Sequence, residues 1–162
     1  MRVLLIEDDQ ALSLGVQRAL EREGWRVDAL AELSAAQVAT LTTRQIGALS
    51  SEQLQSLSDT QIAGMTTVQI SSLATDDLNT LTSDQFARLS TAQVAVLTTD
   101  QIAVLNTRDI AALSTAQLQG LETADMSALS SSQVATLSSV QAPSLSTDQL
   151  AAIDAADMRS IT

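Results

Sequence analysis

LSTAQVAVLTTDQIAVLNTRDIAAL, residues 89–113, states one eight-residue phrase three times and opens a fourth. Carried outward in both directions, the same frame divides residues 33–160 into sixteen octads without an insertion, from LSAAQVAT at 33–40 (octad 1) to IDAADMRS at 153–160 (octad 16). Position 1 is Leu except at Met65 and Ile153, and position 6 is a large apolar residue except at Ala142. Positions 4, 7 and 8 vary and are mostly small or polar. A repeat this regular governs the fold and is read before anything else.

Neither simple extended form accommodates it. In one continuous helix, eight residues at about 100° each advance the apolar stripe by roughly 80° per unit, winding it around the rod so that no single face buries it. In a flat strand, positions 1 and 6 point to opposite faces. What the octad does encode is a helix start. Ser or Thr at position 2 with Gln at position 5 is the capping-box pattern: the hydroxyl accepts from the third helical amide and the Gln reaches back to the amide of the cap. Candidate pairs are Ser90 with Gln93, Thr98 with Gln101, and Ser146 with Gln149. Each box is worth about 1 kcal/mol, and each helix is expected to run from position 3 to about position 7.

Wherever position 2 is Ser or Thr, position 5 is Gln. In the other four octads position 2 is Ala74, Asn106, Glu122 or Asp154, and position 5 is Asp: Asp77, Asp109, Asp125 and Asp157. A cap and its partner covary in this way. The variant is expected to start its helix one residue later, with Thr75, Thr107 or Thr123 as the cap and the Asp near the positive helix end. A shared duplication of these octads is the alternative.

A single octad buries two aliphatic groups, about 2 kcal/mol apiece, against about 1–2 kcal/mol for each backbone ordered. Stability must come from neighbours, as in solenoids. The expectation is a mainly α fold: a right-handed solenoid of very short helices over 33–162, preceded by a small β-α-β cap at 1–32. The alternative is a β-solenoid with two octads per coil, which the scarcity of Gly and the abundance of Ala and Gln disfavour. The Asp octads are numbers 6, 10, 12 and 16, all even, which hints at two or four octads per turn and a shared side for the Asp residues. Octad 14, LSSVQAPS, with Ala142 and Pro143, is expected to kink or fray.

Composition narrows function. Cys, His and Tyr are absent and all eight cations are Arg, which removes disulfides, thiolate and imidazole metal sites, Cys or His nucleophiles and Schiff-base lysines. A formal charge of −11 disfavours nucleic acid or an anionic membrane as partner. Neighbouring acids such as Asp76 and Asp77 are the raw material of glycoside hydrolysis, but adjacent residues on a short helix point apart, so no catalytic and no cofactor-binding residue is assigned. There is no signal-peptide core and no membrane-length apolar run, so the chain as written reads as cytoplasmic.

Residues 1–32 read as strand (2–6), acidic turn, amphipathic helix (11–23) closed by Gly24, and strand from Trp25. MRVLLIEDDQALSLGVQRALEREGWRVD resembles the opening of the receiver domain of bacterial two-component response regulators, in the winged-helix branch. The resemblance implies that Glu7 and Asp8 match the acid pair that helps hold magnesium. Where the receiver carries its phospho-accepting Asp this chain has LSSEQLQSL, and it has no Lys at all. Glu7 and Asp8 alone make a weak metal site, and the physical role left for the segment is a cap, with Trp25 over octad 1. The octads are similar to the L-[ST]-x-x-Q-[VIL]-x-x repeats of large bacterial secreted and surface proteins, which implies spacer or adhesion work outside the cell. Two readings of function follow: a non-catalytic scaffold, structural spacer or protein-interaction module, whose partner is an unidentified protein or another copy met at an open solenoid end, and a signalling protein derived from a receiver with the array as output.

Overall fold

In the computed structural model the described residues are 2–5, 26–29, 33–153 and 157. Strand β1 (Arg2–Leu5) pairs in parallel with β2 (Arg26–Ala29), Val3 opposite Val27. These two strands fit the β-α-β reading. The helix read at 11–23, Trp25, Glu7 and Asp8 lie outside the described residues. Among the described residues the substantial contacts of β1 and β2 are with each other, and none joins them to a helix of the array.

From octad 1 the chain is a succession of helices four to six residues long, one per octad through octad 13 and again in octad 15, from Ala35–Val38 to Thr147–Ala152. No strand occurs among the described residues of the array, which overturns the β-solenoid alternative. The local reason is visible in every unit. Position 2 is extended, as at Ser90 (φ −69°, ψ 160°), so it ends the preceding segment and starts the next helix. At the far end the amide of the next position 1 closes on the position 6 carbonyl three residues back, as Leu105 does on Ile102 at 3.3 Å, a 3-10 type bond that tightens the last turn. Two extended residues then turn the chain into the next octad.

Each helix packs on the helix three octads away: octad 1 on 4, 2 on 5, 6 on 9, 7 on 10, 9 on 12, 12 on 15. The solenoid therefore has three octads per turn, and octads fall into three stacks. This corrects the hint of two or four per turn. The parity of the Asp octads does not place them on one side: octads 6 and 12 share one stack, while Asp157 of octad 16 bonds to octad 13, in the stack of octad 10.

Positions 1 and 6 point inward and form one continuous core. Position 6 is the deeper column, with Val38, Leu54, Ile62, Phe86, Ile102 and Met126 among those sealed from solvent. Stacked turns touch where position 8 of one octad meets position 3 of the octad three earlier. At Gly64 the approach is so close that a Cβ would sit 2.9 Å from the Ala35 carbonyl oxygen, so glycine there is a matter of space. In octad 14, Ala142 leaves the deep column short of a large side chain and Pro143 has no amide to give. A 3-10 segment, Ala142–Ser144, replaces the α-helix.

Candidate functional site: the position 5 ladder and three unlike faces

In every Ser or Thr octad both halves of the capping box form, octad 14 included, where the helix itself is lost. Ser90 N–H donates to Gln93 Oε1 at 2.6 Å and Gln93 N–H to Ser90 Oγ at 3.2 Å. Thr98 with Gln101, and Ser146 with Gln149, repeat the arrangement.

The glutamine has a second task that its local spacing does not reveal. While Oε1 holds its own cap, Nε2 donates to the turn beneath, to the position 1 carbonyl 28 residues earlier. Gln93 reaches Met65 O at 2.7 Å, Gln117 reaches Leu89 O at 2.6 Å, and Gln149 reaches Leu121 O at 2.9 Å. Several reach a second carbonyl 31 residues back as well, as Gln133 does at Ile102 O. The position 1 carbonyl belongs to the extended link between helices, where no intrahelical amide serves it, and an unpaired buried carbonyl is costly. One side chain thus satisfies a cap and a linker on two successive turns. Gln61, Gln69, Gln85, Gln93, Gln101 and their later counterparts are buried; of the three with no octad beneath them, Gln37 is half-buried, Gln45 exposed and Gln53 buried.

The Asp octads solve the same position differently. Their helices begin in the ordinary register: the caps are Ala74, Asn106 and Glu122, and Thr75, Thr107 and Thr123 are the first helical residues. The shifted start expected from the sequence is therefore incorrect. Asp is one methylene shorter than Gln and has no amide, so it cannot donate to the carbonyl below; it accepts from a hydroxyl 26 residues earlier. Ser83 Oγ donates to Asp109 at 3.3 Å, Thr99 Oγ1 to Asp125 at 3.0 Å, and Ser131 Oγ to Asp157. Asp125 also accepts from its own cap amide, Glu122 N, at 3.1 Å. Asp77 is half-buried beside exposed Asp76, and the two do not form a joined pair.

Asp109 is the most enclosed of these acids, with no exposed surface. Burial pushes its carboxyl above the usual carboxylate value, while hydrogen bonds from Asn106 and Ser83 and the charge of Arg108, 3.6 Å away, pull the other way. Asn106, which donates to Asp109, is itself held by Asn79 of the turn beneath. Asn79 Oδ1 accepts from the Asn106 backbone N–H at 3.1 Å, and Asn79 Nδ2 donates to Val104 O at 2.8 Å. Sequence reasoning missed this asparagine pair because its members lie 27 residues apart, a spacing that has meaning only once three octads per turn is known.

The stacking also sorts the variable positions into three faces. Octads 3, 6, 9, 12 and 15 carry seven carboxylates and no cation, with Glu52, Asp76, Asp100 and Asp148 repeating at position 4. Octads 1, 4, 7, 10 and 13 mix both signs, and the exposed pair Arg88–Asp59 bridges two turns at 3.3 Å. Octads 5, 8, 11 and 14 have no charged residue, and octad 2 of the same stack has only Arg44. Among the described residues no group of three or more acids is arranged to hold a metal ion, and no helix is long and apolar enough to cross a membrane.

These features define a class: a fine-grained α-helical repeat protein whose turns are joined by a ladder of position 5 side chains. Comparison with known proteins gives the family. The model of the ALTTAQ repeat matches residues 70–107, 102–139 and 119–155, together a little over half of the chain. The chain belongs to the ALTTAQ repeat family. No receiver domain is found. No curated protein and no solved structure matches it.

Proposed function

We propose that the chain is a non-catalytic scaffold, a stiff spacer that presents its faces to other proteins. The observation that carries this reading is the economy of its buried polar groups. Ten buried glutamines and two buried aspartates are the polar residues of the interior, and every buried side-chain polar atom described has a partner. Those with visible partners hold a cap, a neighbouring turn or both. A polar interior spent on joining turns resists bending and stretching along the axis, which is what a spacer needs. The secreted and surface proteins with similar octads favour the same reading.

The parallel pairing of β1 with β2 is the observation that favours a second reading, a receiver-derived signalling protein with the array as output. Two measurements on the full chain separate them. Small-angle scattering of the parent and of a chain lacking residues 89–112 should show the long dimension shortened by about 8–10 Å, one stacked layer of helices. Incubation with acetyl phosphate should give no added mass. Phosphoryl addition that disappears in Asp8→Asn would replace the scaffold reading with the signalling one.

A further inference from the structure

We propose that two copies of this chain pack side by side through the charge-free face of octads 5, 8, 11 and 14. The proposal rests on the scaffold reading and supplies its partner.

Four large aliphatic side chains are exposed among the described residues, and three of them lie on this face: Val68 (64 % exposed), Val96 (37 %) and Val140 (70 %). Nothing in the array's own packing calls for a valine at position 4. On the acidic face the same position holds Glu52, Asp76, Asp100 and Asp148. Branched aliphatics left in water on one side of a strongly charged molecule mark that side as the one that is covered.

Charge selects the occupant. The chain carries −11, so two copies repel unless they meet where neither bears charge. Acidic face against acidic face would oppose five exposed carboxylates with five, and an acidic face against the mixed face would bury carboxylates without enough cations to pair them, a costly desolvation. The charge-free face meets its own copy with hydroxyl and aliphatic groups and one amide, Gln119, whose Nε2 is already given to Ser144 O at 2.7 Å. Hydroxyls cost far less to cover than charges and can pair across the contact.

The face also has the symmetry that self-association requires. Along the stack, position 4 reads Val68, Ala92, Ala116, Val140, the same in both directions. A two-fold axis between octads 8 and 11 brings each half of this series onto the other half in the partner, an isologous contact. Area is sufficient: roughly 800 Å² per partner makes a standard interface, about a tenth of the chain's 8483 Å² surface, and this face is one of three long sides.

The test uses the whole chain in light scattering and sedimentation over a concentration series. The parent should reach roughly twice the monomer mass of 17.0 kDa, and added salt should not dissociate it, because screening relieves the repulsion while no ion pair holds the contact. Val68→Glu with Val140→Glu, at exposed sites, should stay monomeric with unchanged circular dichroism. Because the chain has no Cys, single-cysteine variants report the face directly. A mixture of Ala92→Cys and Ala116→Cys chains, whose cysteines the two-fold sets opposite one another, should form a disulfide-linked dimer on mild oxidation, and a mixture of Asp76→Cys and Asp100→Cys on the acidic face should not. A parent that remains monomeric, a glutamate pair that associates as before, or the acidic-face mixture linking as fast as the Ala92→Cys and Ala116→Cys mixture overturns the proposal. Scattering from the monomer still reports the length per turn, so the scaffold reading stands or falls separately.

Discussion

At the scale of the residue, position 5 decides what each octad contributes, and the two side chains found there invert the direction of the bond between turns. Gln donates downward to a carbonyl; Asp accepts upward from a hydroxyl. Half of this was legible in the sequence. The cap bond joins residues three apart, and the unfailing match between Ser or Thr and Gln exposed it. The other half joins residues 26 to 31 apart, and a hydroxyl at position 3 is too common in these octads to mark Asp as its partner. Asp109 carries the clearest consequence. Its carboxyl is raised above the ordinary value of 3.8, so between that value and the raised one the folded chain holds a proton that the unfolded chain has released. Its contribution to stability is therefore greatest below this window and declines as pH rises through it. Asp109→Asn, which mimics the protonated form, should unfold like the parent in acid and gain relative to it as pH rises, with the difference level above the window. Urea midpoints of both proteins from pH 3 upward measure this, and a constant offset at all pH values would contradict it.

At the scale of the element, the helices are too short to persist alone: isolated helices below about 12–15 residues are marginal even for favourable sequences. The cap starts each helix and the glutamine ties it to its neighbour, and the two contributions separate by mutation. Thr98→Ala removes the hydroxyl at the cap and should cost about 1 kcal/mol. Gln101→Ala removes the bond to the Thr98 amide at 2.8 Å and the bond to Leu73 O at 2.8 Å, and leaves a buried carbonyl unpaired. Its cost should be on the order of 3 kcal/mol. Chemical denaturation of the two variants checks the order; equal losses would mean that the ladder is a by-product of packing. The helical elements were legible because the signal that makes them is local, and so was octad 14 as the irregular unit. Its cap and its glutamine bond to Leu113 O at 2.7 Å survive, and the missing amide of Pro143 converts the helix to 3-10 rather than detaching it.

At the scale of the whole molecule, the number of octads per turn was the quantity the sequence withheld. Four Asp octads of one parity pointed to two or four, but nothing inside an octad sets how sharply successive helices turn; that follows from how positions 1 and 6 fill a common core. Once three is known, the faces read directly from the letters. A deletion test follows. Removing residues 89–112 takes out one octad from each stack and keeps every later octad on its own face. Removing residues 97–104 alone shifts each later octad by one face, so acidic and charge-free octads become interleaved. Both chains should keep their helical circular dichroism, since every octad carries the same core positions, but only the longer deletion should keep a continuous charge-free side and the dimer measured by light scattering.

The one-way hand-off of the glutamine amide has a consequence for how such a chain is made. Each position 5 glutamine that ties two turns finds its carbonyl acceptor in a part of the chain synthesised before it. A nascent chain leaving the ribosome can therefore lay each new coil onto a finished template, with the same modest loop to close at every step, however many units the gene encodes.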